Sequence, residues 1–80
     1  MIERFDWTDH AKGRARERKL DRTLVEMTVT LGHDGRSQNN GRADWRVRGR
    51  RFGGGLFVVI YDHPVANDVS RVRLVSVWDL

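Results

Sequence analysis

Residues 45–61, with the sequence WRVRGRRFGGGLFVVIY, decide the fold of this chain. Apolar and basic residues alternate over the first half, which predicts a strand with one buried face and one face lined by Arg46, Arg48 and Arg50. The glycines at positions 53–55 predict a hairpin turn after that strand. The unbroken apolar run from Leu56 to Tyr61 is typical of a central strand buried on both faces. This segment therefore predicts two neighbouring strands in the middle of a sheet.

The segments around this hairpin predict two helices and two further strands. Thr8 or Asp9 is suited to cap a first helix that ends near Arg18, and Asp21 is suited to cap a second. The polar, turn-rich composition of the segment after the second helix predicts a loop. The expected ranges are a strand at 2–7, a helix at 22–32, a loop at 33–43 and a strand at 72–78. We expect one domain over residues 1–80, an α+β fold in which an antiparallel sheet carries both helices on one face.

The second predicted helix has a competing interpretation. Helical spacing places four side chains on one face, Leu24, Met27, Thr28 and Leu31, with Val25 and Val29 beside them. The β-branched residues in the same segment favour a strand instead. The length of the segment and its Asp21 cap favour the helix, and Gly32 or Gly35 is suited to end it.

Basic residues are unevenly distributed along the chain. The formal net charge is +4, and 13 of the 15 basic residues are arginine. Residues 1–51 hold 13 of the 15 basic but 8 of the 11 acidic residues, a local net charge of +5, against −1 for residues 52–80. Arginine makes forked contacts with phosphate and carboxylate. This distribution predicts a polyanion or an acidic protein as partner, while an Arg-rich host composition is the alternative explanation.

The composition also excludes several classes of site. With no cysteine in the chain, neither a disulfide framework nor a zinc ribbon can form. The three histidines do not have the spacing of a metal site, so we expect no metal and no cofactor. No apolar run approaches the roughly 20 residues of a membrane span, and the N-terminus lacks the apolar stretch of a signal peptide. We expect a soluble, cytoplasmic protein that does not bind membranes.

The first predicted helix aligns three residues that could act on a phosphate. His10, Arg14 and Arg18 are spaced by four, so they form one row on a helix surface. Metal-independent RNA cleavage needs a group that moves protons and cations that stabilise the charge on phosphorus, and an imidazole backed by guanidiniums supplies both. Glu17 could orient His10 or Arg14. The alternative is an ordinary helix terminus with surface ion pairs.

The same residues carry a family resemblance. The motif His10-Ala11-x-x-Arg14-x-x-Glu17-Arg18 resembles that of an uncharacterised bacterial family, the domain of unknown function 4258. Phe5-Asp6-Trp7 and the segment RVRLVS at 71–76 also resemble BrnT, a ribonuclease toxin. Both groups are similar to the RelE/ParE superfamily of small toxins. The chain departs from BrnT-like sequences at residues 18–20, which read Arg-Lys-Leu instead of Lys-His-Gly, and it lacks the basic tail of RelE-type ribonucleases.

The resemblance implies a toxin-type, RNA-binding domain of a toxin–antitoxin system, with metal-independent endoribonuclease activity. The implied partners are RNA, free or on the ribosome, and an acidic antitoxin or inhibitor protein. The superfamily also includes inhibitors of gyrase, so the alternative is a non-enzymatic module, bacterial or phage-encoded, that occupies a host nucleoprotein machine. A toxic domain of a larger secreted protein is a third interpretation.

The resemblance and the charge pattern add further candidate residues. Superfamily toxins place catalytic groups at or after sheet strands, which implies Tyr61, His63 and Arg73. The stripe of Arg46, Arg48 and Arg50, with Arg51, is suited to hold a phosphate backbone. His33 follows a predicted helix end, where a cation interacts well with the helix dipole, so we interpret it as structural. We interpret the three tryptophans as core residues, namely Trp7, Trp45 and Trp78. An exposed tryptophan could instead stack on a base.

Overall fold

The hairpin at residues 45–61 lies inside a five-stranded sheet that two helices cover on one side. The computed structural model describes all 80 residues. A single 3₁₀ turn, His33–Gly35, follows the second helix. The elements in chain order are β1 (Arg4–Trp7), α1 (Asp9–Glu17), α2 (Arg22–Gly32), β2 (Ser37–Gln38), β3 (Trp45–Arg50), β4 (Leu56–Asp62) and β5 (Arg71–Asp79). Neither helix is long and apolar enough to cross a membrane.

The sheet is mixed, which corrects the expectation of a purely antiparallel one. The strand order is β1-β5-β4-β3-β2. The pairs β2–β3, β3–β4 and β4–β5 are antiparallel, but β1 runs parallel to β5, with Arg4 opposite Arg71 and Trp7 opposite Leu74. A strand that pairs parallel with a later one needs a long crossover connection, and α1 and α2 begin that connection. The two-residue strand β2, inside the predicted loop, is too short and polar to show a period.

Both helices start at the predicted caps and cover the same face of the sheet. The Thr8 hydroxyl accepts a hydrogen bond from the Ala11 N–H at 3.0 Å, and the Asp21 carboxylate accepts one from the Thr23 N–H at 2.7 Å. Ala11 and Ala15 of α1 are buried, so the absence of larger side chains there allows the helix to lie close to β5. Segment 22–32 is thus a helix, as its length and cap predicted.

The buried side of α2 differs from the expected one. Val25 and Val29 are fully buried and pack with the sheet residues, whereas Met27 is 51% and Leu31 79% exposed. Helical spacing gave two overlapping apolar stripes in this segment, and packing against β3 and β4 buried the valine stripe. Close contact with the sheet favours the smaller, stiff side chains.

We call the sheet surface opposite the helices the open face. Residues directly opposite each other on neighbouring strands point to the same side, and Arg46, Ile60 and Ser76 are aligned in this way, as are Arg48, Val58 and Trp78. A small second core forms on this side, where Ala43 packs on Val58 and Ile60. The open face is therefore apolar between β4 and β5, and basic along β3.

Candidate nucleic-acid interface

Three arginines on the open face have no acidic partner. Arg46, Arg48 and Arg50 alternate with the buried Val47 and the half-buried Gly49, and all three are exposed. None of them lies within 4.0 Å of a carboxylate oxygen, whereas six other arginines do. Like charges this close repel each other, so an anionic ligand would relieve a cost that the fold itself does not offset. The predicted arginine-lined strand is present as expected.

Arg51 does not belong to this stripe, which corrects the grouping made from the sequence. Its guanidinium is hydrogen-bonded to the carboxylate of Asp79 at the end of β5, with Nε at 3.1 Å from Oδ1. Because side chains alternate along a strand, position 51 follows the side of Val47 and Gly49, not that of Arg50. Arg51 is next to Arg50 in sequence, but its ion pair with Asp79 holds its side chain on the helix-covered side of the sheet.

His10 lies in a groove of about 360 Å³ on the open face. We call this the His10 groove. Thr8 holds the start of α1 beside β5, because its hydroxyl also donates to the Leu74 carbonyl at 2.9 Å. The His10 side chain is exposed and makes no hydrogen bond to another residue. The lining residues are Thr8, His10, Asn39, Gly41, Arg42, Ile60, Val75, Ser76 and Trp78, of which only His10 and Arg42 are ionisable.

The other members of the predicted helical row are engaged elsewhere. Arg14 lies 3.5 Å from Glu17 and Arg18 lies 3.9 Å from Asp79, while neither arginine lines the His10 groove. Glu17 thus contacts Arg14 and not His10. His10 and Arg14 lie in α1 and Arg18 is the residue that caps its C-terminus, but only His10 reaches the groove.

Tyr61 and His10 lie on opposite sides of the sheet. Tyr61 is fully buried on the helix-covered side, where its hydroxyl is 2.8 Å from Nδ1 of His33. The ring of His33 contacts that of His63 at a centroid distance of 4.4 Å. Arg73 lies elsewhere again, 3.9 Å from Asp62. The structure therefore does not assemble Tyr61 or Arg73 with His10 in one site.

The His33–Tyr61–His63 cluster was not predicted as a unit. Burial lowers the pKa of His33, and the charges of Arg36 and His63 lower it further. Burial also raises the pKa of Tyr61 to about 12. His33 is therefore disfavoured as a cation, in contrast to the expected charge–dipole role at the helix end. His33 is distant in sequence from Tyr61 and His63 and meets them only in the folded chain, so no local pattern signalled that contact.

The open face brings the His10 groove and the arginine stripe onto one surface. Ser76 and Trp78 line the groove on β5, and their partners two strands away are Arg46 and Arg48 on β3. Neighbouring strands are about 4.8 Å apart, so this separation is about 10 Å. A chain of nucleotides is long enough to contact both. Chemically, the surface offers unpaired cations, an apolar groove and one imidazole.

Comparison with known proteins adds one family match. A family model described as "Domain of unknown function (DUF4258)" matches residues 7–79, nearly the whole chain. No curated protein and no solved structure matches the sequence of this chain.

Proposed function

The chain belongs to the DUF4258 family, and from its own geometry we propose that it is an RNA-binding domain whose ligand lies across the open face. One observation carries this proposal. Arg46, Arg48 and Arg50 are exposed, lack acidic partners, and share their sheet face with the His10 groove. Each phosphate that such a guanidinium neutralises releases condensed counterions, which favours binding.

The resemblance of two other segments supports the finer part of the proposal. Phe5-Asp6-Trp7 and residues 71–76 resemble BrnT, and the similarity of that group to the RelE/ParE toxins favours a toxin-type role, with RNA as the polyanion and an acidic antitoxin as the protein that covers the same arginines. Arginine in place of lysine agrees with this, since its forked geometry suits phosphate oxygens.

A second candidate function is metal-independent cleavage of the bound RNA. His10 and Arg42 line one groove, so an imidazole and a cation can face the same phosphate. In that reaction the 2′-oxygen attacks the adjacent phosphorus and its proton passes to His10. The bond to the 5′-oxygen then breaks, and the imidazolium or water returns a proton to that oxygen. Arg42 stabilises the charge on the phosphorane.

The binding proposal is tested by charge reversal on the open face. The double variant Arg46→Glu/Arg48→Glu should lower the affinity for a labelled RNA oligonucleotide by at least about tenfold, because two attractive contacts become repulsive. The matched control is Lys12→Glu/Arg16→Glu, which reverses the same charge on α1, at two residues that take part in no ion pair. Equal loss in both variants would assign the effect to net charge alone.

The cleavage candidate is tested separately with His10→Ala. Incubation with RNA in the presence of a chelator should yield 2′,3′-cyclic phosphate ends, and the variant should lose about 100-fold or more in rate while still binding RNA. Unchanged cleavage by the variant would remove His10 from the reaction.

A third outcome is that the wild-type protein binds no RNA, while the double substitution Arg46→Glu/Arg48→Glu abolishes its toxicity in cells. The open face then binds a protein partner. In that case the protein is a non-enzymatic inhibitor, and His10→Ala should be silent.

A further inference from the structure

Trp78 differs from the other two tryptophans in its surroundings. The indole N–H of Trp7 donates to Glu26 at 2.8 Å, and Arg22 stacks over its ring. The indole N–H of Trp45 donates to the His63 carbonyl at 3.2 Å, and Arg36 stacks over that ring. The indole of Trp78 has neither a hydrogen bond nor a stacked cation, and the residue is 39% exposed in the His10 groove. A large aromatic side chain is thus left available for a ligand.

The lining of the groove combines an apolar floor with a polar rim. Ile60, Val75 and Trp78 supply the apolar surface, while Asn39 and Arg42 lie on the loop that borders it. No lining residue is acidic. Small-molecule sites usually measure about 300–1,000 Å³, and this groove lies at the lower end of that range. Its size and lining suit a flat heterocycle with polar edges and an anionic attachment.

We propose that the His10 groove holds one unstacked nucleobase against Trp78, so that the open face takes single-stranded RNA and not a duplex. This inference rests on the proposed function and names the class of RNA that the same face binds. Bases in a duplex are stacked and paired, so none can enter a groove unless it is extruded. A single strand presents its bases freely, and stacking on an aromatic ring tolerates any sequence.

The charge distribution on the open face agrees with this occupant. A base seated beside Trp78 places its sugar–phosphate chain near Arg42 and directs it across β4. Arg46 and Arg48, two strands away from Trp78 and Ser76, are then in reach of the following phosphates. A ligand without charge would leave these arginines unpaired, and a protein segment without a flat ring would leave the groove poorly filled.

The experiment compares a single-stranded RNA with a blunt duplex of the same length and sequence. Binding is measured by fluorescence anisotropy for the wild type, Trp78→Ala and Trp78→Phe. The matched control is Leu56→Ala, because Leu56 is also 39% exposed and belongs to β4 but does not line the groove. Thermal unfolding verifies that each variant is folded.

The single strand should bind at least tenfold more tightly than the duplex. Trp78→Ala should lower the affinity for the single strand by about tenfold or more, with little effect on duplex binding. Trp78→Phe should restore most of the loss, and Leu56→Ala should have a small effect. The single strand should quench the tryptophan fluorescence of the wild-type protein through Trp78. This quenching should be absent in Trp78→Phe.

Three results overturn the inference, and they separate the base site from the proposed function. Equal affinity for both RNAs, or a Trp78→Ala variant that binds like the wild type, rejects the base site but leaves RNA binding by the arginines intact. Absence of binding to either RNA by the wild-type protein rejects the proposed function and this inference together.

Discussion

The contact between His33 and Tyr61 shows how single residues link the fold to pH. The groups that face His33 are Tyr61 from β4, His63 after it, Arg36 and Asp34 beside it, and the N-terminus. Burial and the cationic neighbours disfavour a proton on its ring, and only Asp34 favours one. His33 is therefore held in its neutral form inside a partly basic cluster.

Acid should destabilise the protein through this cluster. The folded-state pKa of His33 lies below its ordinary value of 6.5, so the unfolded chain binds the proton more readily. The stability that depends on neutral His33 is then fully present above about pH 6.5, and it is lost as the pH falls below that value. Urea unfolding at pH 7.5 and 5.0 should show this loss in the wild type and a smaller one in His33→Gln. The control variant His10→Gln, which changes an exposed side chain, should lose as much stability between the two pH values as the wild type. If His33→Gln also lost as much as the wild type, the acid sensitivity would not come from His33.

At the scale of the elements, the approach of α2 to β3 depends on two glycines: Gly32 at the end of α2, where a Cβ would meet the Val47 side chain, and Gly49 of β3. A Cβ at position 49 would lie against the ring of Phe57, 2.8 Å from one of its carbons, and 2.7 Å from the hydroxyl of Thr28. Both neighbours are held by packing, since Phe57 is fully buried and Thr28 belongs to α2. Only a residue without a side chain allows the helix to lie this close to the strand.

Gly49→Ala should therefore destabilise the fold by about 1–3 kcal/mol, because the added methyl overpacks the contact between helix and sheet. The measurement is the free energy of unfolding in urea. Gly13→Ala is the matched control, since nothing lies within 4 Å of a Cβ there and the site is inside α1. Alanine is a better helix former than glycine, so the control should gain about 0.5–1 kcal/mol. A neutral Gly49→Ala would show that the contact is looser than described.

For the molecule as a whole, the distribution of ion pairs separates two kinds of arginine. Arg4, Arg71 and Arg73 pair with carboxylates at one end of the sheet, whereas the stripe on β3 has none. The net charge of +4 is therefore less informative than its placement. Unpaired cations on one surface attract a polyanion and steer its approach.

The salt dependence of RNA binding should report this placement. Each phosphate contact with a single strand contributes about 0.7 to the slope of log affinity against log salt. Arg48→Ala should reduce the slope by about that amount, and Arg4→Ala, which removes an arginine already paired with Asp68, should leave it unchanged. The measurement is the dissociation constant at four or more salt concentrations. Equal slopes for both variants would place the RNA elsewhere.

Much of the fold follows from local sequence, because the deciding interactions span few residues. The alternation at 45–50 and the apolar run at 56–61 predict two strands, and Thr8 and Asp21 cap the helices that they were expected to cap. The exposed side of β3 follows from the same period of two. These features need no knowledge of distant parts of the chain.

The sequence by itself thus determined both helices, four of the five strands, their order along the chain and the arginine-lined strand. Tertiary structure alone decided that β1 runs parallel to β5, that Arg51 pairs with Asp79, and that the valine stripe of α2 is buried. It also separated His10 from Tyr61 and brought His33 to Tyr61. The physical reason is range: periodicity and capping act within one or two turns, whereas the side of the sheet on which a residue lies depends on which distant strand or helix packs there.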